Sequence, residues 1–268
     1  MSNLFFIGAG KMATAIAGGL VRTQTFRAEE LLAYDIAPAA AELFTASTGV
    51  RCLTGEFDEA ALADAGAVLL AVKPQYLAEA LNGLKSILES KLILSIAAGI
   101  SLSRLYDLTD SPRIVRVMPN TPALIGRGCT VAALTAEVTA AERELVRRIF
   151  SAIGSFAIQE EKQLDAVTGL SGSGPAFVFD FIQALADGGV AEGLPRTLAL
   201  ELAARTVAGA AEMVIETGAH PAVLCDQVCS PAGTTIRGIE KLRRYGLSTA
   251  VMAAVRAATA RSQELGKA

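Results

Sequence analysis

Short apolar runs alternate with amphipathic stretches up to about residue 160, and this alternation restricts the fold more than any other feature. Leu4–Gly8, Leu31–Asp35, Ala67–Val72 and Leu92–Ala97 read as strands, the last two nearly without polar residues. A strand apolar on both faces needs cover on both sides, which is the situation of a parallel sheet between helices. Helices fit between the strands, over Met12–Arg22 and in the Ala-rich stretch after Pro38. Arg51–Leu53 is a short third strand, and Arg113–Met118 and Cys129–Leu134 are further ones. A helix over Ala140–Ile153 leads to a last short strand, Ser155–Ile158. This order predicts an α/β fold in which residues 1–159 form a Rossmann-like doubly wound sheet.

The pattern breaks near residue 160. From Glu161 onward nothing alternates with period two. Long helical stretches follow instead: Glu161–Thr168, Pro175–Glu192, Thr197–Thr217, Pro221–Val228, Thr234–Tyr245 and Leu247–Leu265. Gly193, Gly218 and Gly246 stand where helix stops are expected. Residues 160–268 therefore read as an all-α C-terminal domain. Its helix over Thr197–Thr217 is apolar around most of its circumference, with Glu201, Arg205 and Glu212 as sparse breaks. Such a helix must be covered on most sides. So short a helical segment cannot supply that cover alone, but two interlocking copies can, so a homodimer is expected.

Hydrophobic residues make up 52% of the chain and charged ones 19%, below the usual ~25%. That composition excludes a disordered chain and again favours an oligomer. The net charge of −3 lacks the basic excess of nucleic-acid binders. No uncharged apolar stretch is long enough to span a membrane. The start, MSNLFFIGAG, carries neither a basic leader nor a cleavage site. With four Cys and no export signal, reduced thiols and a cytoplasmic location are expected.

Gly8-Ala9-Gly10-Lys11-Met12-Ala13 is a G-x-G-x-x-A fingerprint between a strand and a helix, the setting that gives the pattern meaning. Gly8 permits a tight turn, Gly10 lets a pyrophosphate approach the backbone, and small Ala13 lets helix and strand pack closely. The pyrophosphate then meets unpaired N–H groups and the positive end of a helix dipole. Ile7, Gly8, Ala9, Gly10, Lys11 and Met12 are therefore candidate dinucleotide-binding residues. Asp35 ends the second strand, where a carboxylate accepts from both adenosine ribose hydroxyls and repels a 2′-phosphate. That favours NADH over NADPH; the alternative is a turn or N-cap Asp. No Arg follows closely, although Arg22 and Arg27 have the length to bend in. Ala71-Val72-Lys73-Pro74 closes the fourth strand and opens into the ligand crevice. Lys73 there reaches ribose or phosphate oxygens, or is simply solvated.

Three more segments occur in register along both halves. They are Arg116-Val117-Met118-Pro119-Asn120-Thr121-Pro122, Leu170-Ser171-Gly172-Ser173-Gly174-Pro175-Ala176 and Ser230-Pro231-Ala232-Gly233-Thr234-Thr235-Ile236. With IGAGKM and AVKPQ they make the chain similar to pyrroline-5-carboxylate reductases from residue 4 to about 265. The resemblance implies hydride transfer from NADPH or NADH to the imine carbon of 1-pyrroline-5-carboxylate, giving L-proline in the last step of its biosynthesis. It implies a Rossmann domain and a helical domain that interlocks into homodimers, often assembled further into decamers. It places the nicotinamide near Met118, Pro119 and Asn120, and sets the Ala97-Ala98 turn against the cofactor. The substrate is set against the loop from Ser230 through Gly233 to Thr235, often contributed across the dimer. Glu161, Gln227, Thr234 and Thr235 then line the substrate pocket. The glycines before Pro175, where a long helix starts, permit close approach to the nicotinamide or to a partner subunit. Two positions depart from the family pattern. Ala232 stands where Gly is commoner, a mild change unless φ is positive there. Asp35 stands where relatives often carry Ser, Asn or Arg suited to a 2′-phosphate.

Reducing a carbonyl requires a proton donor for the developing alkoxide. An imine nitrogen is far more basic and can arrive protonated, so the demand shifts to orientation, worth up to ~7–11 kcal/mol. The sequence matches this lighter demand: no Lys lies between Lys162 and Lys241, and His220 is the only His. Thr235 is the candidate catalytic residue, offering its hydroxyl to the ring nitrogen. The N–H groups of Gly233, Thr234 and Thr235 offer an anion site for the substrate carboxylate, with plain N-capping by the threonines as the alternative. A 3-hydroxyacid dehydrogenase of the same plan would carry a Lys early in the helix after the Gly-rich segment, and Gly174–Phe179 has none. His220, before Pro221, reads as a loop or capping residue. Cys225 and Cys229 read as small thiols, and no metal is expected. Arg113 and Arg116 either flank a strand or contact a ligand. Arg143, Arg147 and Arg148 with Glu142 and Glu144 read as a solvated helix face.

Overall fold

The computed structural model describes residues 4–266. Its strands are β1 (Leu4–Ile7), β2 (Leu31–Tyr34), β3 (Cys52–Leu53), β4 (Ala67–Leu70), β5 (Leu92–Ser95), β6 (Ile114–Met118), β7 (Gly128–Leu134) and β8 (Gly154–Ile158). They form one sheet in the order β3-β2-β1-β4-β5-β6-β7-β8. From β3 to β6 all pairs are parallel, β7 runs antiparallel to β6, and β8 is parallel to β7. Helices cover both faces: α1 (Lys11–Arg22), α2 (Pro38–Thr48), α3 (Glu59–Ala63), α4 (Leu77–Ala80), α5 (Lys85–Leu88), α6 (Leu102–Thr109) and α7 (Ala140–Ser151).

The apolar strands are read by two cores at once. In β1, Leu4 and Phe6 enter the core shared with α1, α2 and α7, while Phe5 and Ile7 enter the core shared with α3 to α6. Successive residues of β4 and β5 divide the same way, as the alternation of side chains across a strand requires. α1 buries Ala13, Ile16, Ala17 and Leu20, the i, i+3, i+4, i+7 stripe of a helix lying on a sheet. Between β4 and β5 the crossover is broken into short pieces, a 3-10 turn at Pro74–Tyr76 followed by α4 and α5. Gly83, with φ +81, separates α4 from α5.

After β8 come α8 (Leu164–Val167), a π turn at Thr168–Gly172, α9 (Gly174–Ala191), α10 (Arg196–Thr217), α11 (Pro221–Val228), α12 (Thr234–Arg244) and α13 (Leu247–Leu265). Contacts divide the chain into two compact units. One holds the residues up to Ser173 together with the C-terminal stretch from Ala257, and the other holds Gly174–Arg256. The first unit thus runs past residue 160, where strands were expected to give way to a separate domain. Leu164 of α8 is fully buried and α8 packs on β7, so the first helical turns stay with the sheet. Among the described residues no helix is long and apolar enough to cross a membrane.

Taken by itself, the second unit has little core: Ala186, Ala199 and Ala203, with Ile182 and Val190 against them. Large apolar side chains stand in the open, among them Phe179 on α9 and Ile215 on α10, 63% and 80% exposed. Apolar exposure on that scale marks an association surface.

Candidate active site

The strand order reverses between β1 and β4, and the C-terminal ends of those strands open the crevice in which such sheets bind ligands. Gly8 turns there with φ +102, and a Cβ on it would lie 2.9 Å from the backbone of Ala71 and Val72. Only glycine lets the turn pass this close to the end of β4. Above Gly10 the space is open, since a Cβ there meets nothing within 4 Å. Gly10 is the N-cap of α1, no side chain caps it, and no acidic residue stands in the first turn. The first-turn N–H groups are thus set for an anion. A pyrophosphate fits this cradle by both space and charge.

Asp35, half-buried after β2, is tied to the glycine turn. Its Oδ2 accepts from the Ala9 N–H at 2.7 Å and its Oδ1 from the Ala37 N–H at 2.9 Å. The turn-Asp reading is realised, yet each oxygen keeps a lone pair for a further donor. Neither Arg comes near. Arg22 ends α1, about 16 Å from its N-terminus, and lies against Gly126. Arg27 precedes β2, at the opposite edge of the sheet, and pairs with Glu29 and Glu30 at 3.3 Å each. Burial, and then the charge of Asp35, pushes the neighbouring Cys52 thiol up to about 11. Lys73 is exposed at the end of β4, on the same crevice edge.

Ala97 is buried and Ala98 exposed in the turn after β5. β6 delivers Met118, Pro119 and Asn120 to the same edge. The Asn120 amide is committed to the fold: Oδ1 accepts from the Cys129 N–H at 2.8 Å, and Nδ2 donates to the Ser171 carbonyl at 3.0 Å. Gly172 leaves room for the Met118 methyl, which any Cβ would strike. Two of the diagnostic segments, 116–122 and 170–176, are thereby held together. Pro175 lies in the first turn of α9.

In the second unit, His220 caps α11, its Nδ1 accepting from the Ala222 N–H at 3.2 Å. Gln227 is exposed on α11. Beyond it the 230–233 turn closes with the Gly233 N–H donating to the Ser230 carbonyl at 3.0 Å. That bond removes Gly233 from the expected anion site and leaves the amides of Thr234 and Thr235. Gly233 is the N-cap of α12, and no side chain caps the helix. The threonine hydroxyls are therefore not spent on capping. The first turn of α12 holds no acid, and Lys241, Arg243 and Arg244 in its last turn suit the helix dipole. Ala232 has φ +57, so the exchange of Gly for Ala is not mild and costs ~1 kcal/mol.

Several charged residues depart from their expected settings. Glu142 is not solvated: it forms a capping box with Thr139 and pairs with Arg113 at 2.6 Å. Arg116 is buried, pairing with Glu161 at 3.2 Å and Asp165 at 3.4 Å. Glu161 Oε1 also accepts from the Leu102 N–H at 2.7 Å, so its carboxylate is engaged within the first unit. Asp165 and Ser262, bonded at 2.7 Å, were not singled out in the sequence. The signal available was Arg116 itself, since a charge inside the strand Ile114–Met118 demands a buried partner.

The reversed strand order, the glycine turn and the anion-ready start of α1 define a dinucleotide-dependent oxidoreductase. Residues 3–99 match a family model described as NADP oxidoreductase, coenzyme F420-dependent, and residues 161–265 match one described as pyrroline-5-carboxylate reductase dimerisation. The pyrroline-5-carboxylate reductase of Arabidopsis thaliana is 44% identical over 98% of this chain and 95% of that protein. A solved Coxiella burnetii pyrroline-5-carboxylate reductase superposes with TM-score 0.91 at 32% identity, covering 100% of this chain and 99% of that one. The Plasmodium falciparum pyrroline carboxylate reductase, solved with NADP bound, gives TM-score 0.89 at 33% identity over 99% and 98% of the two chains. The chain belongs to the pyrroline-5-carboxylate reductase family.

Proposed function

We propose that the chain reduces the imine bond of 1-pyrroline-5-carboxylate with NADPH or NADH, giving L-proline. One observation carries the reading: α1 and α12 each start from a glycine N-cap, with no side-chain cap and no acid in the first turn, and α12 opens with threonine hydroxyls not spent on capping. One suits a dinucleotide pyrophosphate and the other a substrate carboxylate. Ile7 to Met12, Ala71 to Pro74, Ala97, Ala98, Met118 to Asn120 and Pro175 hold the cofactor, with Asp35 toward the adenosine ribose. A reduced nicotinamide, when bound, supplies the hydride.

The amides of Thr234 and Thr235 bind the substrate carboxylate, with Gln227 and Ser230 beside them. The Thr235 hydroxyl accepts from the protonated ring nitrogen and fixes the ring's orientation. The nitrogen keeps its proton as the imine carbon takes the hydride, so no side-chain acid is needed, and orientation supplies much of the rate. The unit that holds the sheet, α8 and the end of α13 acts as the dinucleotide domain, and Gly174–Arg256 acts as the substrate and dimerisation domain. The exposed apolar surface of α9 and α10 is covered in a homodimer, the building block of a decamer. The enzyme works in the cytoplasm, with no nucleic-acid partner.

The test is oxidation of NADH and NADPH by the purified chain with and without the cyclic imine. Turnover only when the imine is present is expected; no turnover with either cofactor would reject the reading.

A further inference from the structure

Arg116 is a charge in the middle of a sheet, its side chain only 10% exposed. Its neighbours Val115 and Val117 show what packing alone asks for at such a place. A desolvated cation is costly, so its retention calls for a task. The guanidinium spreads between two carboxylates, Nη1 to Glu161 at 3.2 Å and Nη2 to Asp165 at 3.4 Å. Each carboxylate leads on to a further element. Glu161 takes the N–H of Leu102, where α6 begins just beyond the turn at residues 97–99. Asp165 takes the hydroxyl of Ser262 at 2.7 Å, near the end of α13. That end returns to the same turn: Gly99 has φ +79, and a Cβ on it would lie 3.4 Å from Leu265 Cβ. Both arms of the fork thus end beside the turn at residues 97–99, one at Leu102 just after it and the other at Leu265 against Gly99, while the strand that carries Arg116 runs straight into Met118.

We infer that Arg116 is a positioning residue that fixes two cofactor-facing turns, 97–99 and 118–120, relative to each other through Glu161, Asp165 and Ser262. The C-terminal end of α13 is the far anchor of this brace. The inference rests on the proposed dinucleotide site, and it assigns the brace to the nicotinamide end of that site. A Lys at position 116 keeps the charge but loses the rigid planar fork that spans the two carboxylates.

The experiment titrates the full-length chain and its R116K and S262A variants with NADH and with ADP-ribose, which lacks the nicotinamide. Circular dichroism checks that each variant is folded. Both variants should bind NADH more weakly by about tenfold or more, the loss of one charge-assisted hydrogen bond, and ADP-ribose unchanged. The double variant should be no weaker than R116K alone, because the two residues act in one chain of contacts. Should R116K fail to fold, the S262A comparison decides alone. Equal weakening of both ligands, or unchanged NADH binding, overturns the inference while leaving the cofactor site standing. A wild-type chain that binds neither ligand overturns the cofactor site and the inference with it.

Discussion

Replacing Asp35 with Asn removes a full negative charge at the end of β2, where the proposed function sets the adenosine ribose. Two effects follow, and they separate cleanly. The first is common to both cofactors: Asp35 accepts from two backbone N–H groups, of Ala9 and Ala37, and an amide oxygen accepts more weakly. Loosening of the glycine turn weakens NADH and NADPH alike. The second is selective. A 2′-phosphate of charge −2 held about 5–6 Å from the carboxylate, at an effective dielectric of about 40–80, is repelled by ~1.5–3 kcal/mol. Removing the charge returns that amount to NADPH alone. For NADH the change is a loss, since ribose hydroxyls donating to a carboxylate gain ~1.5–3 kcal/mol and to an amide only ~0.5–1.5. The ratio of kcat/KM for NADPH over NADH should therefore rise about ten- to several hundredfold. Steady-state rates with both cofactors at saturating imine read this directly. A ratio that stays within about twofold of wild type would show that the Asp35 charge does not face the ribose, and that the carboxylate serves only the turn.

Three further outcomes are expected. Thr235→Val keeps the shape but not the hydroxyl, so kcat should fall about ten- to a hundredfold while the NADH dissociation constant stays put; the reverse pattern would strip Thr235 of its role. Ala232→Gly relieves a left-handed alanine and should raise the thermal midpoint, worth about 0.5–1 kcal/mol; a lower midpoint would contradict the strain. The bond from Arg196 and then that from Gln183 hold the Asp187 carboxyl below its ordinary range, and the Arg27 backbone N–H does the same for Glu30. Lowered folded values mean stabilisation that is present above the ordinary carboxylate range and is lost as pH falls through the lowered ones. The urea midpoint should accordingly drop on going from neutral pH to about pH 3, and a flat profile would refute the assignment.

The sheet was legible because β1, β4 and β5 are buried on both faces, and no half-exposed arrangement accommodates such runs. The glycine turn was legible because its spacing and its place between strand and helix coincide. The reversal of β7 was not anticipated, though the chain held a clue. Residues 119–127 are too few to carry the crossover that a parallel neighbour of β6 needs. The broken crossover after β4 escaped because its short helical pieces give no periodic stripe. The brace around Arg116 joins residues far apart in sequence, and the sequence read alone left that Arg between flanking a strand and touching a ligand. The anion site at α12 was read from sequence as three amides. The turn that aims Thr234 and Thr235 consumes the amide of Gly233, a detail fixed only by how residues 230–233 fold back.

The account stands on direct delivery of a hydride from the reduced dinucleotide to the imine carbon of the ring. NADH or NADPH deuterated on the transferring face, turned over with 1-pyrroline-5-carboxylate in ordinary water, tests this in one spectrum. One deuterium should appear in proline at the ring carbon beside nitrogen that does not bear the carboxyl group. Proline without that label, or label at any other position, would contradict it.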